Sequence, residues 1–213
     1  MSELATRRQE EKDRRRDEIL DAAAAVAGEH GMAEFTMDQV ARKARLSRAL
    51  LYVYFQDKQD LLMGLADRAH AMLYDSFAAI GARKQTGLKK IQAMGRAYLV
   101  FAEHAPVYFE ALACFVAHPA EGEALQGNLL RCMEGVDRVH GEIIAALSAG
   151  IEDGSIRRDI GNPLAVSVTL WGFMHGIIQI IATRGDVLAY KGIKAKQLVD
   201  QALLMCTRSL QKE

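Results

Sequence analysis

The chain has 213 residues, half of them apolar and a quarter charged, with 27 basic side chains against 27 acidic ones. That make-up excludes a disordered or fibrous chain, and zero net charge excludes a whole-molecule field that draws nucleic acid, so any such binding must come from local placement. Three widely spaced cysteines without a C-x-x-C exclude a disulfide framework or zinc knuckle, and the charged N-terminus has no apolar signal core, so a cytoplasmic protein is expected.

Residues 1–10 are polar and are expected to be mobile. A first helix then runs to about Glu29, with Ile19, Ala23 and Val26 on one face and Gly31 as its stop. Arg7, Arg8, Lys12, Arg14, Arg15 and Arg16 suit either an arm reaching phosphates or a solvated charge run, since Glu10, Glu11 and Asp13 are interleaved. Phe35-Thr36-Met37-Asp38-Gln39-Val40 then reads as a hydrophobic staple (Phe35 on Val40) around a capping box (Thr36 with Gln39). Leu46-Ser47-Arg48-Ala49-Leu50-Leu51 repeats the device, with Ser47 as cap and Leu46 stapled to Leu51. This second start has Leu50 at its third position instead of an acid, and a helix N-terminus with unpaired N–H groups suits a phosphate. Arg42, Lys43, Arg45 and Arg48 surround it, with no acid between Asp38 and Asp57. A short helix, a tight turn and a basic second helix predict a helix-turn-helix.

Asp57 caps the next helix and Asp60 completes its first turn, yet Lys58 sits at the first helical position, where a cation opposes the dipole unless an anion is near. That helix is expected to reach about Ile80, followed by a connector over residues 81–87. Helical spacing recurs over residues 88–103. Pro106 opens another helix, ended by Pro119, and residues 121–150 read as helix interrupted by Gly127, Gly135 and Gly141. Residues 152–160 read as a turn-rich loop. Asn162-Pro163 opens a long apolar helix, ended by Gly185, and an amphipathic helix over residues 193–210 carries Leu198, Ala202, Met205 and Cys206 on one side. Nine helices and no strands make the expected fold all-α.

Residues 164–182 hold no Asp, Glu, Lys or Arg, near the length of a membrane span, and include Gly172-x-x-x-Gly176. Ser167, Thr169, His175 and Gln179 interrupt the run, so no membrane partner is expected. A helix apolar all round must be covered on every side. The chain's own core covers one face and a second subunit is the natural cover for the other. Gly172, Gly176, Leu198, Ala202 and Met205 are therefore the expected homodimer contacts.

Residues 19–62 resemble the DNA-binding domain of the TetR family of transcriptional regulators. The resemblance rests on Ile19-Leu20-Asp21-Ala22-Ala23, Gly31, Phe35-Thr36-Met37, Val40-Ala41, Ser47-x-x-x-Leu51-Tyr52-x-Tyr54-Phe55 and Lys58-x-x-Leu61-Leu62. It implies an N-terminal three-helix DNA-binding domain (residues 1–60) and a larger helical ligand-binding and dimerisation domain (residues 61–213). Thr36, Ser47, Tyr52, Tyr54 and Lys58 match the family's phosphate-contact positions. Arg48 and Ala49 face where bases would lie, Arg48 suits a bidentate contact to guanine, and for Arg45 a base contact and a phosphate clamp both stand. The chain departs from the family at Arg45 and Ala49, where members commonly carry Gly. A non-Gly residue in a left-handed turn costs roughly 1 kcal/mol.

The resemblance also implies a cavity in the larger domain. Tyr98, Phe101, Phe109, Phe115, Trp171, Met174 and His175 are candidate lining residues, with plain core as the alternative for each. A buried His175 needs a partner, whether ligand, carbonyl or second subunit. Cys114 and His118 have an i, i+4 spacing but no second pair, so no metal is expected, and no cofactor. G-x-S-x-G, P-loop, G-x-G-x-x-G and H-E-x-x-H motifs are absent, which argues against an enzyme. The expected function is a dimeric, ligand-responsive repressor, binding double-stranded DNA at a palindromic operator and released by a small apolar or aromatic effector. The alternative, motivated by Arg45 and Ala49, is an all-α ligand- or partner-binding module that has lost specific DNA reading.

Overall fold

The computed structural model describes residues 3–116 and 127–212, without the side chains of residues 3–4 and 114–116. Within these, the chain forms nine helices: α1 (Glu3–His30), α2 (Met37–Lys43), α3 (Arg48–Tyr54), α4 (Lys58–Gly81), α5 (Gly87–His104), α6 (Pro106–Val116), α7 (Gly127–Glu152), α8 (Pro163–Tyr190) and α9 (Ala195–Leu210). The all-α expectation holds, and the only extended pairing among the described residues is an isolated bridge between Ile156 and Gln211.

Two compact units emerge, one of Met1–Ala71 with Ala105–Gly135 and one of Met72–His104 with Val136–Glu213. In the first, Ile19, Leu20, Ala23 and Val26 of α1 join Val40, Leu51, Phe55, Leu61 and Leu65 in one buried cluster, completed by Ala111 of α6 and Cys132 of α7. Burial pushes the Cys132 thiol up to about 12, so it packs as a small apolar group. Charges that reach this core are matched. Arg16 pairs with Asp67 at 3.6 Å and donates to Asn128 Oδ1 at 2.6 Å, and Asn128 in turn donates to Asp60 Oδ1 at 2.8 Å. Arg68 pairs with Asp17 and Asp21 and donates to Tyr108 Oη at 3.4 Å.

The second unit buries Leu73, Phe77 and Ile80 of α4, Leu88, Ile91 and Met94 of α5, Val139, Ile143 and Leu147 of α7, and Met174 and Ile178 of α8. The expected loop at residues 152–160 caps a helix distant in sequence. Asp153 Oδ2 accepts from Gly87 N at 2.8 Å and Ser155 Oγ from Leu88 N at 3.2 Å, satisfying the first N–H groups of α5. Hydrogen bonds from the Ser155 side chain, from Gly87 N and from Ser155 N hold the Asp153 carboxyl below its usual range.

Several boundaries differ from expectation. Residues 3–10 belong to α1, where alternating charges form intrahelical pairs such as Arg14 with Glu11 and Glu18. Gly135 and Gly141 do not interrupt α7: a lone glycine costs only ~1 kcal/mol in a helix, and packing along α7 outweighs it. The stop expected at Gly185 falls within one residue of a break at Arg184 (φ −134°, ψ 21°), beyond which a further helical stretch runs to Tyr190, where Gly192 (φ 73°) stops it. Pro119 and residues 121–126 lie outside the described residues.

Candidate functional site

The helix-turn-helix forms as the caps dictate. Thr36 Oγ1 accepts from Gln39 N at 3.3 Å while Gln39 Oε1 accepts from Thr36 N at 2.7 Å, closing the capping box. Ser47 Oγ accepts from Leu50 N at 3.2 Å to start α3. Between them the turn is a Schellman motif. Leu46 N donates to Ala41 O at 2.9 Å and Arg45 N to Arg42 O at 3.1 Å, with Arg45 left-handed at φ 56°. Arg45 is the one non-glycine residue at positive φ among those described, at the position where the resemblance expects glycine. The turn therefore keeps its geometry despite the departure, which weakens the alternative of a module that no longer reads DNA. Arg45→Gly is expected to be neutral or stabilising by up to ~1 kcal/mol in chemical denaturation, because the left-handed strain is relieved. It should nevertheless weaken DNA binding. Unchanged DNA affinity would remove Arg45 from the interface.

Only Leu51 of α3 is buried. Arg48, Ala49, Leu50, Tyr52 and Val53 face outward, Val53 with 71% of its surface exposed. Leu50 and Val53 were not among the expected contacts. The signal was available in the cap: a helix starting at Arg48 that turns Leu51 inward leaves Leu50 and Val53 outside, where an apolar side chain suits a thymine methyl. Thr36, Ser47 and Arg45 are exposed, while Tyr54 is half-buried and packs against the core cluster of its unit.

Some of the basic residues have intrachain partners that the sequence pattern did not show. Lys58, expected to await an external anion, donates to the Ala33 carbonyl and lies over the Phe35 ring at 4.4 Å. The cation at the start of α4 is thus already compensated, although its ammonium carries three donors. Lys43 pairs with Glu29 at 2.6 Å, and this bond keeps the Glu29 carboxyl below its usual range. Arg48 meets Asp38 at 3.2 Å and lies over the Tyr52 ring at 5.6 Å. Among the described residues, Arg42 and Arg45 make no ion pair. In the N-terminal run, Arg15 pairs with Glu18 and Arg16 is held within the unit, which leaves Arg7, Arg8 and Lys12 as the exposed candidates for an arm.

In the second unit, four of the seven expected cavity residues come together. Tyr98 is buried and stacks on Phe101 at 6.4 Å, while Trp171 lies 5.4 Å from the His175 ring. Trp171 Nε1 donates to Tyr98 Oη at 3.2 Å, and Tyr98 Oη lies 2.7 Å from His175 Nδ1. Because indole N–H can only donate, the phenol proton is available for Nδ1, which places the His175 proton on Nε2. Burial lowers the His175 pKa and raises that of Tyr98, both favouring this neutral arrangement. A second pair extends it: His140 Nδ1 lies 2.7 Å from Oγ of the fully buried Ser167, with its ring edge-on to Trp171 at 6.4 Å. Neither His140 nor Ser167 was among the expected cavity residues, since they meet only when α7 packs on α8.

The other expected residues separate. Met174 is buried on α8. Phe109 is buried in the first unit, on α6. The Phe115, Cys114 and His118 side chains lie outside the described residues. A groove of about 480 Å³ lies at the α8–α9 turn, lined by Gly185, Leu188, Ala189 and Ile193 and not by the aromatic group. Of the expected dimer contacts, Gly172 and Gly176 have nothing within 4 Å of where a Cβ would stand, and Met205 is 52% exposed. Ala202 is instead 2% exposed, covered by its own unit, because its place on the inner face of α9 suits the close approach of α5 and α8.

Residues 19–64 match the family model described as bacterial regulatory proteins, tetR family. The chain is 32% identical over 136 residues to the HTH-type transcriptional regulator BetI of Brucella anthropi, covering 62% of this chain and 67% of BetI. It is 34% identical over 79 residues to SrpR of Pseudomonas putida, a span of 37% of each protein. In fold, it is similar to SmeT, the repressor of the Stenotrophomonas maltophilia multidrug efflux pump SmeDEF (TM-score 0.67, 17% identity, 93% of this chain and 91% of that one). A Rhodococcus protein of unknown function also matches (TM-score 0.72, 19% identity, 93% of this chain and 95% of that one). The chain belongs to the TetR family: it is a DNA-binding transcriptional regulator with a helix-turn-helix, not an enzyme.

Proposed function

We propose that this regulator is a homodimeric repressor, working in the cytoplasm, that binds a palindromic operator and leaves it when a small apolar or aromatic molecule binds residues 61–213. The observation that carries the effector part is the Tyr98–Trp171–His175 group: aromatic faces for an apolar ligand, with a hydroxyl and an imidazole as polar anchors. A solved structure of similar fold is a complex of SmeT with triclosan. The dimer part rests on α8 and α9, whose exposed Leu164, Val168, Ile180, Leu204 and Met205 make an uncovered apolar surface. α8 is also long and apolar enough to cross a membrane. A second copy is the better cover, because His175 and the buried Ser167 lie on the same helix within a regulator of this family.

On DNA, residues 1–60 supply the contacts. Two α3 helices enter successive major grooves about 34 Å apart. Thr36, Ser47, Tyr52, Tyr54 and Lys58 hold phosphates, Arg48 reads a base edge beside Ala49, and Arg45 contacts DNA at the turn. Effector binding biases α4, which starts directly after the reading helix, and the coupling needed is ~1–3 kcal/mol.

The test is thermal-shift screening of aromatic and apolar compounds against anionic polar metabolites, followed by DNA-binding titration with each hit, on wild type and His175→Phe. The variant is expected to lose roughly 1 kcal/mol of stability with its bond to Tyr98. It should keep operator affinity and dimerisation, and respond weakly to compounds that release wild type. Stabilisation by anionic metabolites alone, undiminished in His175→Phe, would overturn the effector class and the role given to this residue.

A further inference from the structure

We infer that Asp38 is a positioning residue for sequence reading: its carboxylate holds the Arg48 guanidinium in the plane from which it contacts a base, narrowing the set of operators the protein accepts. This rests on the proposal that Arg48 reads a base edge.

Asp38 occupies the second position of α2 and Arg48 the first position of α3, so the turn brings two residues ten apart into contact. Arg48 Nε lies 3.2 Å from Asp38 Oδ1, and Nη1 donates to Oδ2 at 3.4 Å. The guanidinium carbon lies 5.6 Å from the centre of the Tyr52 ring, one turn further along α3. The guanidinium is therefore engaged by a carboxylate on one side and by the Tyr52 side chain on another.

The carboxylate also stands in the first turn of α2, where an acid favours the helix dipole. The start of α2 is already satisfied by the Thr36–Gln39 box. Both side chains of the ion pair are more than half exposed (64% and 53%), a setting in which such a pair adds little stability. On a surface that meets phosphates, an acid lowers affinity for every DNA sequence alike. What it supplies is order. A free arginine has a long, flexible stem and can swing to the nearest phosphate, a contact without sequence information. Bracketed by Asp38 and Tyr52, Arg48 is pre-organised as a planar fork, and reaching a phosphate instead would mean leaving both partners. The acid thus trades general affinity for discrimination.

The experiment uses the full-length protein and a duplex library with a randomised central segment. Selection by binding and sequencing is run for wild type, Asp38→Ala, Asp38→Asn and Arg48→Ala, with affinity for random duplex measured at two salt concentrations. For wild type, one position per half-site should show a strong guanine preference, worth about 5- to 150-fold. Arg48→Ala should flatten that position. Asp38→Ala should flatten the same position and no other, while binding random duplex as tightly as wild type or tighter. Asp38→Asn, which keeps an acceptor without the charge, should fall between. An unchanged motif in Asp38→Ala, where Arg48→Ala flattens it, overturns the positioning role and leaves base reading by Arg48 intact. Flattening at a different position would make Asp38 itself the reader, as a carboxylate is for cytosine, and equally overturns the proposal. A motif lost at all positions in Asp38→Ala would show a structural defect and overturn it too. A wild-type motif retained in Arg48→Ala would overturn base reading by Arg48, and the inference with it.

Discussion

Gly87→Ala is expected to prevent cooperative folding of the unit built from α5, α8, α9 and the second parts of α4 and α7. A Cβ at residue 87 would stand 2.1 Å from Gly150 N, 2.3 Å from Gly150 Cα and 2.3 Å from Ala146 O. All three are backbone atoms of α7, so no rotamer change relieves the clash; α5 must move away from α7 as a body. That movement would also break the bonds from Gly87 N to Asp153 and from Leu88 N to Ser155. Overpacking typically costs ~1–3 kcal/mol where side chains can yield, and here the cost should exceed that range. Gly141→Ala is the internal control: nothing lies within 4 Å of its Cβ position, so replacing a mid-helix glycine should stabilise by up to ~1 kcal/mol. Urea denaturation followed by circular dichroism separates the two. A Gly87→Ala protein as stable as wild type would show that the two helices do not meet through their backbones.

Gly172→Leu is expected to do the opposite: spare the subunit and separate the proposed dimer. Within the chain nothing lies within 4 Å of a Cβ at Gly172 or at Gly176, so a side chain can start there without a backbone or side-chain clash at its first atom. Helix propensity alone favours leucine over glycine by roughly 1 kcal/mol. In a two-fold interface every substitution occurs twice, and ~1–3 kcal/mol of overpacking on each side weakens association by tenfold for each 1.4 kcal/mol. Sedimentation should show monomer at concentrations where wild type is dimeric, together with loss of operator affinity. A variant that remains dimeric with unchanged association would place Gly172 outside the interface, and the apolar surface of α8 and α9 would need another cover.

The contrast between these glycines shows where the amino-acid sequence stopped being legible. Local chemistry determined the reading head. Thr36 with Gln39, Ser47 with Leu50 and Asp57 with Asp60 are interactions over three residues, so their caps, and hence α2, α3 and the start of α4, could be read without knowing the rest of the chain. The same holds for the Asn162-Pro163 start of α8, where Asn162 Oδ1 accepts from Leu164 N at 2.8 Å. The long apolar runs and scarce prolines likewise determined an all-α fold.

Partnerships between distant residues were a matter for the tertiary structure alone. Lys58 looked like a cation waiting for an anion because Ala33 and Phe35 are remote in helical register, and only the packed turn brings them over its ammonium. In the sequence Asp38 was only the last acid before the basic turn, and it was the turn that laid Arg48 against it. Gly87, Gly135, Gly141 and Gly172 all lie in or at the start of helices, yet their neighbours are a backbone, the His70 side chain and, for the last two, open space. Gly87 looked like the end of a connector and is a point of contact between helices. His175 called for a partner, and it was the packing of α5 on α8 that chose the Tyr98 hydroxyl. The physical reason is common to all of these. Hydrogen-bonded caps and apolar periodicity act over one or two turns and leave their signature in adjacent letters. The side a residue presents, and what meets it there, depends on how whole helices pack, which no short stretch of sequence encodes.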